Sequence, residues 1–122
     1  MSISQLTLQQ NNSAVWFEER RKRITASSFG KVCKIKRTTN PKNTIKYLIN
    51  GFNSIKATNY GIDNEPIARK DFESRSGLEV EECGFFIDYE DCYIGATPDG
   101  LIGSNGKIEI KCARFSTVKE AI

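Results

Sequence analysis

Asp99-Gly100-Leu101-Ile102 and Lys107-Ile108-Glu109-Ile110-Lys111 flank the tetrapeptide Gly103-Ser104-Asn105-Gly106, and no other feature restricts the fold of this chain as tightly. A run of turn formers between two alternating segments predicts an antiparallel hairpin. Along the second arm, period-two alternation sends Ile108, Ile110 and Cys112 to one face and Lys107, Glu109 and Lys111 to the other. The first face can enter a core. Glu109 and Lys111 then stand side by side, roughly 7 Å apart at their Cα atoms, and Asp99 can join them from the neighbouring arm.

Two carboxylates and an ammonium converging at one place suit metal-dependent hydrolysis of a phosphodiester. Asp99 and Glu109 offer hard oxygen ligands for Mg²⁺, and the backbone carbonyl of Ile110, between the two side chains, can complete the protein's share of the coordination. Lys111 places positive charge near the attacking water. The sequence contains no histidine, which removes the commonest general base and every mechanism built on a Ser-His or Cys-His pair.

The four cysteines (Cys33, Cys83, Cys92 and Cys112) form no Cys-x-x-Cys pair. Structural zinc is therefore disfavoured, and reduced, packed thiols of an intracellular protein are expected. Charge is uneven: residues 1–50 hold 10 Lys/Arg against 2 Asp/Glu, whereas residues 51–122 hold 8 against 13. A basic half beside an acidic half suits a chain that attracts a polyanion with one surface and holds metal with another. No run spans a membrane, and Met1 to Asn12 lacks the build of a secretory signal, so it is read as a flexible leader before one domain over residues 13–122.

Along the chain, Asn12 or Ser13 can cap a first helix that starts with Val15, Trp16 and Glu19 and ends in Arg20, Arg21, Lys22 and Arg23. Thr25 or Ser27 can cap a second, with Phe29, Val32 and Cys33 inward. A loop over residues 37–43 leads to a third helix marked by Ile45, Leu48, Ile49 and Phe52. A fourth is expected from about Tyr60 to about Ser76, stopped by Gly77, with Pro66 in its first turn or at a kink. Strands follow over residues 78–82, 85–89 and 93–96. Helices first and then a small, mostly antiparallel mixed sheet define an α/β domain of α+β-like layout.

Four blocks stand in order: Trp16-x-x-x-Arg20 leading to Ile24-Thr25-Ala26-Ser27; Gly61-x-x-x-Glu65-Pro66-x-Ala68; Ala96-Thr97-Pro98-Asp99-Gly100; and Glu109-Ile110-Lys111-Cys112. Together, from about Trp16 to Ala113, they resemble the YqaJ-like viral recombinase family, relatives of phage lambda exonuclease within the restriction-endonuclease-like PD-(D/E)xK nucleases. The resemblance implies Mg²⁺-dependent degradation of double-stranded DNA from a 5′ end, with Mn²⁺ as a substitute. It leaves a 3′ single strand for an annealing partner, in DNA recombination or repair, and allows a homo-oligomer. It implies that Asp99, Glu109 and Glu65 bind metal, that Lys111 orients the water, and that Arg20 and Ser27 hold the 5′ phosphate. The three carboxylates are accordingly expected to converge.

Where the family continues past Glu-x-Lys with a further helix and strand, only ten residues follow Cys112. The chain is thus read as C-terminally truncated: a fragment, a decayed gene copy, or one whose partner supplies the rest. The rival to an exonuclease is a catalytically inactive module that binds nucleic acid or a nuclease subunit. A sequence-specific endonuclease is disfavoured by the Arg20 and Ser27 block, which suits the binding of an end.

Overall fold

The structure, a computed structural model, describes residues 1–50 and 56–112. The chain divides into two compact units, Met1–Phe52 with Glu82–Pro98, and Asn53–Glu81 with Asp99–Ile122. Five α-helices and two small antiparallel sheets lie among the described residues, as an α/β domain of this layout requires. No helix among them is long and apolar enough to cross a membrane.

The first unit opens with α1 (Ile3–Leu6) and a 3-10 turn (Gln10–Asn12), followed by α2 (Ala14–Arg21), α3 (Ala26–Cys33) and α4 (Lys42–Asn50). Residues 1–12, expected as a leader, carry regular structure and a buried contact. Thr7 is fully buried; its hydroxyl donates to the Ile3 carbonyl at 2.6 Å and accepts the Phe85 N–H at 2.7 Å. A buried amide needs a partner, and Thr7 supplies it. Gly84 completes the fit, because a Cβ there would lie 2.2 Å from the Ser4 carbonyl oxygen. Gln10 adds a bond from its side-chain amide to the Cys83 carbonyl at 2.8 Å.

Ser13 caps α2 by accepting the Trp16 N–H at 3.3 Å. Thr25 caps α3 in a box closed by Ser28, whose hydroxyl accepts the Thr25 N–H at 3.1 Å. This box corrects the predicted face of α3: Ser28 is the buried residue, while Phe29 and Cys33 are exposed. Satisfying the first turn's amides outweighs the apolar pattern here. Ile45 and Ile49 on α4 are exposed as well, and Phe52 lies outside the described residues.

In the same unit β1 (Phe86–Ile87) pairs antiparallel with β2 (Gly95–Ala96), and Ile24 joins as a parallel bridge to Ile94. The paired stretches are shorter than the predicted runs over residues 85–89 and 93–96. Phe85 is fully buried, and its ring occupies the space where a Cβ on Gly95 would sit, 2.2 Å from Cζ. Cys83 is buried beside it in sequence. Cys33 and Cys92 are exposed and Cys112 is half-buried, so the expectation of four packed thiols holds for Cys83 and, in part, for Cys112.

The second unit holds α5 (Lys56–Ser76) and the hairpin of β3 (Gly100–Ile102) and β4 (Gly106–Ile108). The hairpin lies where the turn sequence puts it. α5 starts earlier than predicted, which leaves Pro66 in its interior and not in the first turn. Proline there removes one helical hydrogen bond at a cost of about 3 kcal/mol. Gly77, with φ of 71°, ends the helix in the left-handed region that suits glycine. Glu73 then accepts the Val80 N–H at 2.8 Å, and Glu81 alone of the run over residues 78–82 pairs, with Leu101. Val80 is buried against Gly100, where a Cβ would lie 2.2 Å from the valine Cγ1.

Candidate metal and phosphate sites

The hairpin of the second unit sets out Asp99 and the Glu109-x-Lys111 segment. Beyond β4 the alternation persists as burial: Glu109 and Lys111 are exposed while Ile108, Ile110 and Cys112 are half-buried. Lys111 Nζ bonds Glu109 Oε1 at 2.5 Å. Asp99 Oδ2 accepts the Ile110 N–H at 2.6 Å. Ile110, whose carbonyl is expected to face a metal, fixes Asp99 through its N–H. Glu65 projects from α5 and pairs with Arg69, one turn on, at 3.3 Å. An acid preceding a base by four residues is the favourable order on a helix.

The charges of these groups act on one another. Burial pushes the Glu65 carboxyl above its ordinary range, and the negative charges of Asp99 and Glu109 push the same way while Arg69 opposes them. Burial also raises Asp99, with the Glu109 charge, against the Ile110 amide and the charges of Lys111 and Arg69. Lys111 is raised first by its bond to Glu109, and by the charges of Asp99 and Glu65. Glu65, Asp99, Glu109 and Lys111 therefore share one electrostatic neighbourhood, as their predicted roles demand.

They do not form the tight acid cluster that was expected. Among the described residues no three acidic, histidine or cysteine side chains are arranged to hold a metal ion. The reason lies in their partners: Glu109 faces Lys111, Glu65 faces Arg69, and Asp99 faces an amide. Like charges separate when each has a donor of its own. The donor set nevertheless fits a hard divalent cation. It consists of carboxylates, two of them partly buried and held above their ordinary pKa chiefly by that burial.

The first unit holds the other predicted pair. Arg20 donates from Nη2 to Ser27 Oγ at 3.2 Å, and Ser27 Oγ lies 3.1 Å from Thr25 Oγ1. The Arg20 guanidinium lies 4.4 Å from the centre of the Trp16 ring. Trp16 donates its indole N–H to Thr97 Oγ1 at 3.0 Å. Burial lowers the Arg20 pKa, though a guanidinium keeps its charge. Among the described residues Arg20 makes no salt bridge. The bases just past the end of α2 differ: Arg23 is bound to Glu19 and to the Cys92 carbonyl, and Lys22 pairs with Glu18 and Glu19.

Sequence reasoning gave no site role to Arg69, the Ile110 amide or Thr97, and took Thr25 only as a helix cap. Arg69 carried a legible signal, four residues after Glu65 on one helix. Thr97 carried none, because its bond to Trp16 is made by tertiary folding across 81 residues.

Compared with known proteins, the chain matches the YqaJ-like viral recombinase domain over residues 15–121. Its structure is similar to the crystal structure of an alkaline exonuclease, LHK-Exo, from Laribacter hongkongensis, with a TM-score of 0.66 and 32% sequence identity, over 81% of this chain and 53% of that one. It is similar to LHK-Exo in complex with dAMP as well, at a TM-score of 0.67 and 32% identity, with the same coverage of 81% and 53%. The chain thus spans about half the length of that exonuclease. No curated protein sequence matches it.

Proposed function

The chain belongs to the YqaJ-like viral recombinase domain family, and from that premise we propose that it is a metal-dependent exonuclease domain acting on double-stranded DNA from a 5′ end. The observation that carries this reading is the bond of Asp99 to the Ile110 amide, which joins it to the segment holding the Glu109–Lys111 pair. Asp99, Glu109 and Glu65 would hold Mg²⁺, or Mn²⁺ in its place. When bound, the ion supplies Lewis-acid polarisation of the phosphoryl oxygen and a more acidic water. The remaining tasks fall to the chain's own residues.

Lys111, kept protonated by three carboxylates, is a donor and not a base. It orients the attacking water and offsets the charge that builds on the phosphate oxygens. Water adds to phosphorus and the P–O3′ bond breaks, so the phosphate remains on the next nucleotide. That product carries a new 5′ phosphate, the group for which Arg20 and Ser27 are suited. A guanidinium fork matches phosphate geometry, and the uncommitted charge of Arg20 is what such a ligand requires. The 3′ strand left behind is a substrate for an annealing protein.

One observation favours a second reading, an inactive module that binds nucleic acid: each carboxylate already has an internal partner. The two readings separate on 5′-phosphorylated duplex DNA. With Mg²⁺ the exonuclease releases mononucleotides, and neither EDTA nor Lys111→Ala permits release. Binding without release in every condition would leave the module.

A further inference from the structure

Arg20, in the last turn of α2, and Arg23, just past its end, lie three residues apart, yet they are held in opposite ways. Arg23 is fastened by a carboxylate and a carbonyl, Glu19 and Cys92. Arg20 is fastened by an indole face and a hydroxyl. An acid fixes a base by consuming its charge; a neutral clamp fixes it and leaves the charge available. We propose that Trp16, anchored to Thr97, is the positioning residue that fixes the Arg20 guanidinium for a terminal phosphate. The proposal rests on the reading that Arg20 and Ser27 take the 5′ phosphate, and adds the device that makes them competent.

Three contacts immobilise the indole. Its N–H is bonded to Thr97 at 3.0 Å, its edge meets Phe17 at 4.9 Å between centroids and 80° between planes, and its backbone N–H is capped by Ser13. An indole held at its N–H and against a second ring has little freedom to rotate, and it offers the guanidinium a fixed surface. Ser27 then sets the rotation within that plane through Nη2, and Thr25 holds Ser27 in turn. Of the five guanidinium donors, only the bond to Ser27 is made with a protein group among the described hydrogen bonds. The anchor Thr97 lies in the Ala96-Thr97-Pro98 turn, far from α2 in sequence. The clamp is therefore a product of folding and not of the helix alone.

Trp16 is the only tryptophan in the chain, which provides a direct readout. The full chain is titrated in EDTA with a 5′-phosphorylated duplex and with its 5′-hydroxyl counterpart, following tryptophan emission and, for the variants, fluorescence anisotropy of labelled DNA. Emission should change with the phosphorylated end and not with the hydroxyl end. Trp16→Leu should weaken binding of the phosphorylated end about tenfold, within the range of a partly desolvated cation–π contact, and leave the hydroxyl end unchanged. Trp16→Phe, which keeps an aromatic face, should recover most of that loss. Thr97→Val, which alters no apolar packing volume, should cost about threefold in the same selective way, and melting curves establish that it is folded. The proposal is overturned if Thr97→Val and Trp16→Leu discriminate the two ends as well as wild type while Arg20→Gln does not, an outcome that leaves the phosphate pocket standing. If Arg20→Gln also discriminates normally, the pocket reading falls, and the clamp with it.

Discussion

The cationic site of the first unit and the acidic site of the second are built on opposite terms. Arg20 is gripped by neutral groups and keeps its charge unspent. Glu65, Asp99 and Glu109 are each turned toward a donor, two of them a full cation. The difference teaches what each site needs from its ligand. A phosphate can bind Arg20 as it stands. A divalent cation would have to draw Glu109 from Lys111 and Glu65 from Arg69, which would release Lys111 from its carboxylate partner. Lys111, the group proposed to orient water, is thereby released only when metal is in place.

The largest expected effect tests whether the acidic site is catalytic at all. Lys111→Ala and Asp99→Asn should each lower the rate of mononucleotide release with Mg²⁺ by about a thousandfold, the scale of removing one preorganised electrostatic group. Binding of 5′-phosphorylated duplex should persist in both. Equal loss of binding would mean that these residues support the fold.

Charge reversal comes next, and it separates a spent base from an unspent one. Arg20→Glu should cost about a hundredfold in affinity for a phosphorylated end, because a charge-assisted bond of about 1.5–3 kcal/mol is lost and replaced by repulsion. Arg23→Glu should act on stability instead, since it sets a carboxylate against the largely buried Glu19. Melting temperature and anisotropy, measured on both variants, should move in this crossed pattern. Binding should also weaken steeply with added salt, as phosphate contacts release counterions.

Legibility followed distance along the chain. The hairpin over residues 99–111, the Ser13 cap and the Gly77 stop depend on neighbours and were readable. Glu65, Asp99, Glu109 and Lys111 were readable as residue types at fixed spacings, but the partners that keep the three carboxylates from a tight cluster were not. Contacts between remote segments were not. Thr7 reaches Phe85 across 78 residues, and a polar residue near a terminus gives no sign that it will be buried. Pro66 was placed by a rule of helix propensity that the rest of α5 overrides. The bond from the Ile110 N–H to Asp99 depends on how two segments eleven residues apart come together, and alternation of side chains does not decide that.

A smaller effect concerns pH, where the two regions should respond with opposite sign. The Glu19 carboxyl is held below its ordinary value by its bonds to Lys22 and Arg23. Its contribution to stability is present above the unfolded pKa and is lost as pH falls through the folded one. Glu65 and Asp99 are held above their ordinary values, chiefly by burial. Their ionisation costs stability, and that cost disappears as pH falls through their folded pKa values. Urea midpoints between pH 7 and pH 3 should therefore show Glu19→Gln losing least relative to wild type at acid pH. Glu65→Gln, by contrast, should gain most at neutral pH. A shared sign would remove the contrast between the two sites.

The smallest effect on stability falls on the pair that matters to the proposed chemistry. Glu109 and Lys111 bond at 2.5 Å, yet their side chains are 60% and 80% exposed. Solvent screens such a pair, and exposed ion pairs contribute about 0–1 kcal/mol. Glu109→Gln should thus shift the melting temperature in EDTA by no more than a degree or two, given that about 1 kcal/mol moves a domain of this size by roughly 4–8 °C. Glu65→Gln differs in sign: the Glu65 carboxyl is partly buried and held above its ordinary range, so neutralising it removes a cost and should not lower the melting temperature at neutral pH. In titration calorimetry with Mn²⁺ the two should agree: both substitutions remove a ligand oxygen's charge, so both should abolish measurable binding. Weak coupling to the fold and strong coupling to metal is the signature of a carboxylate free to leave Lys111. If Glu109→Gln instead unfolded the second unit or left Mn²⁺ binding intact, the pair would be a structural bridge, and Lys111 would have no route to the water.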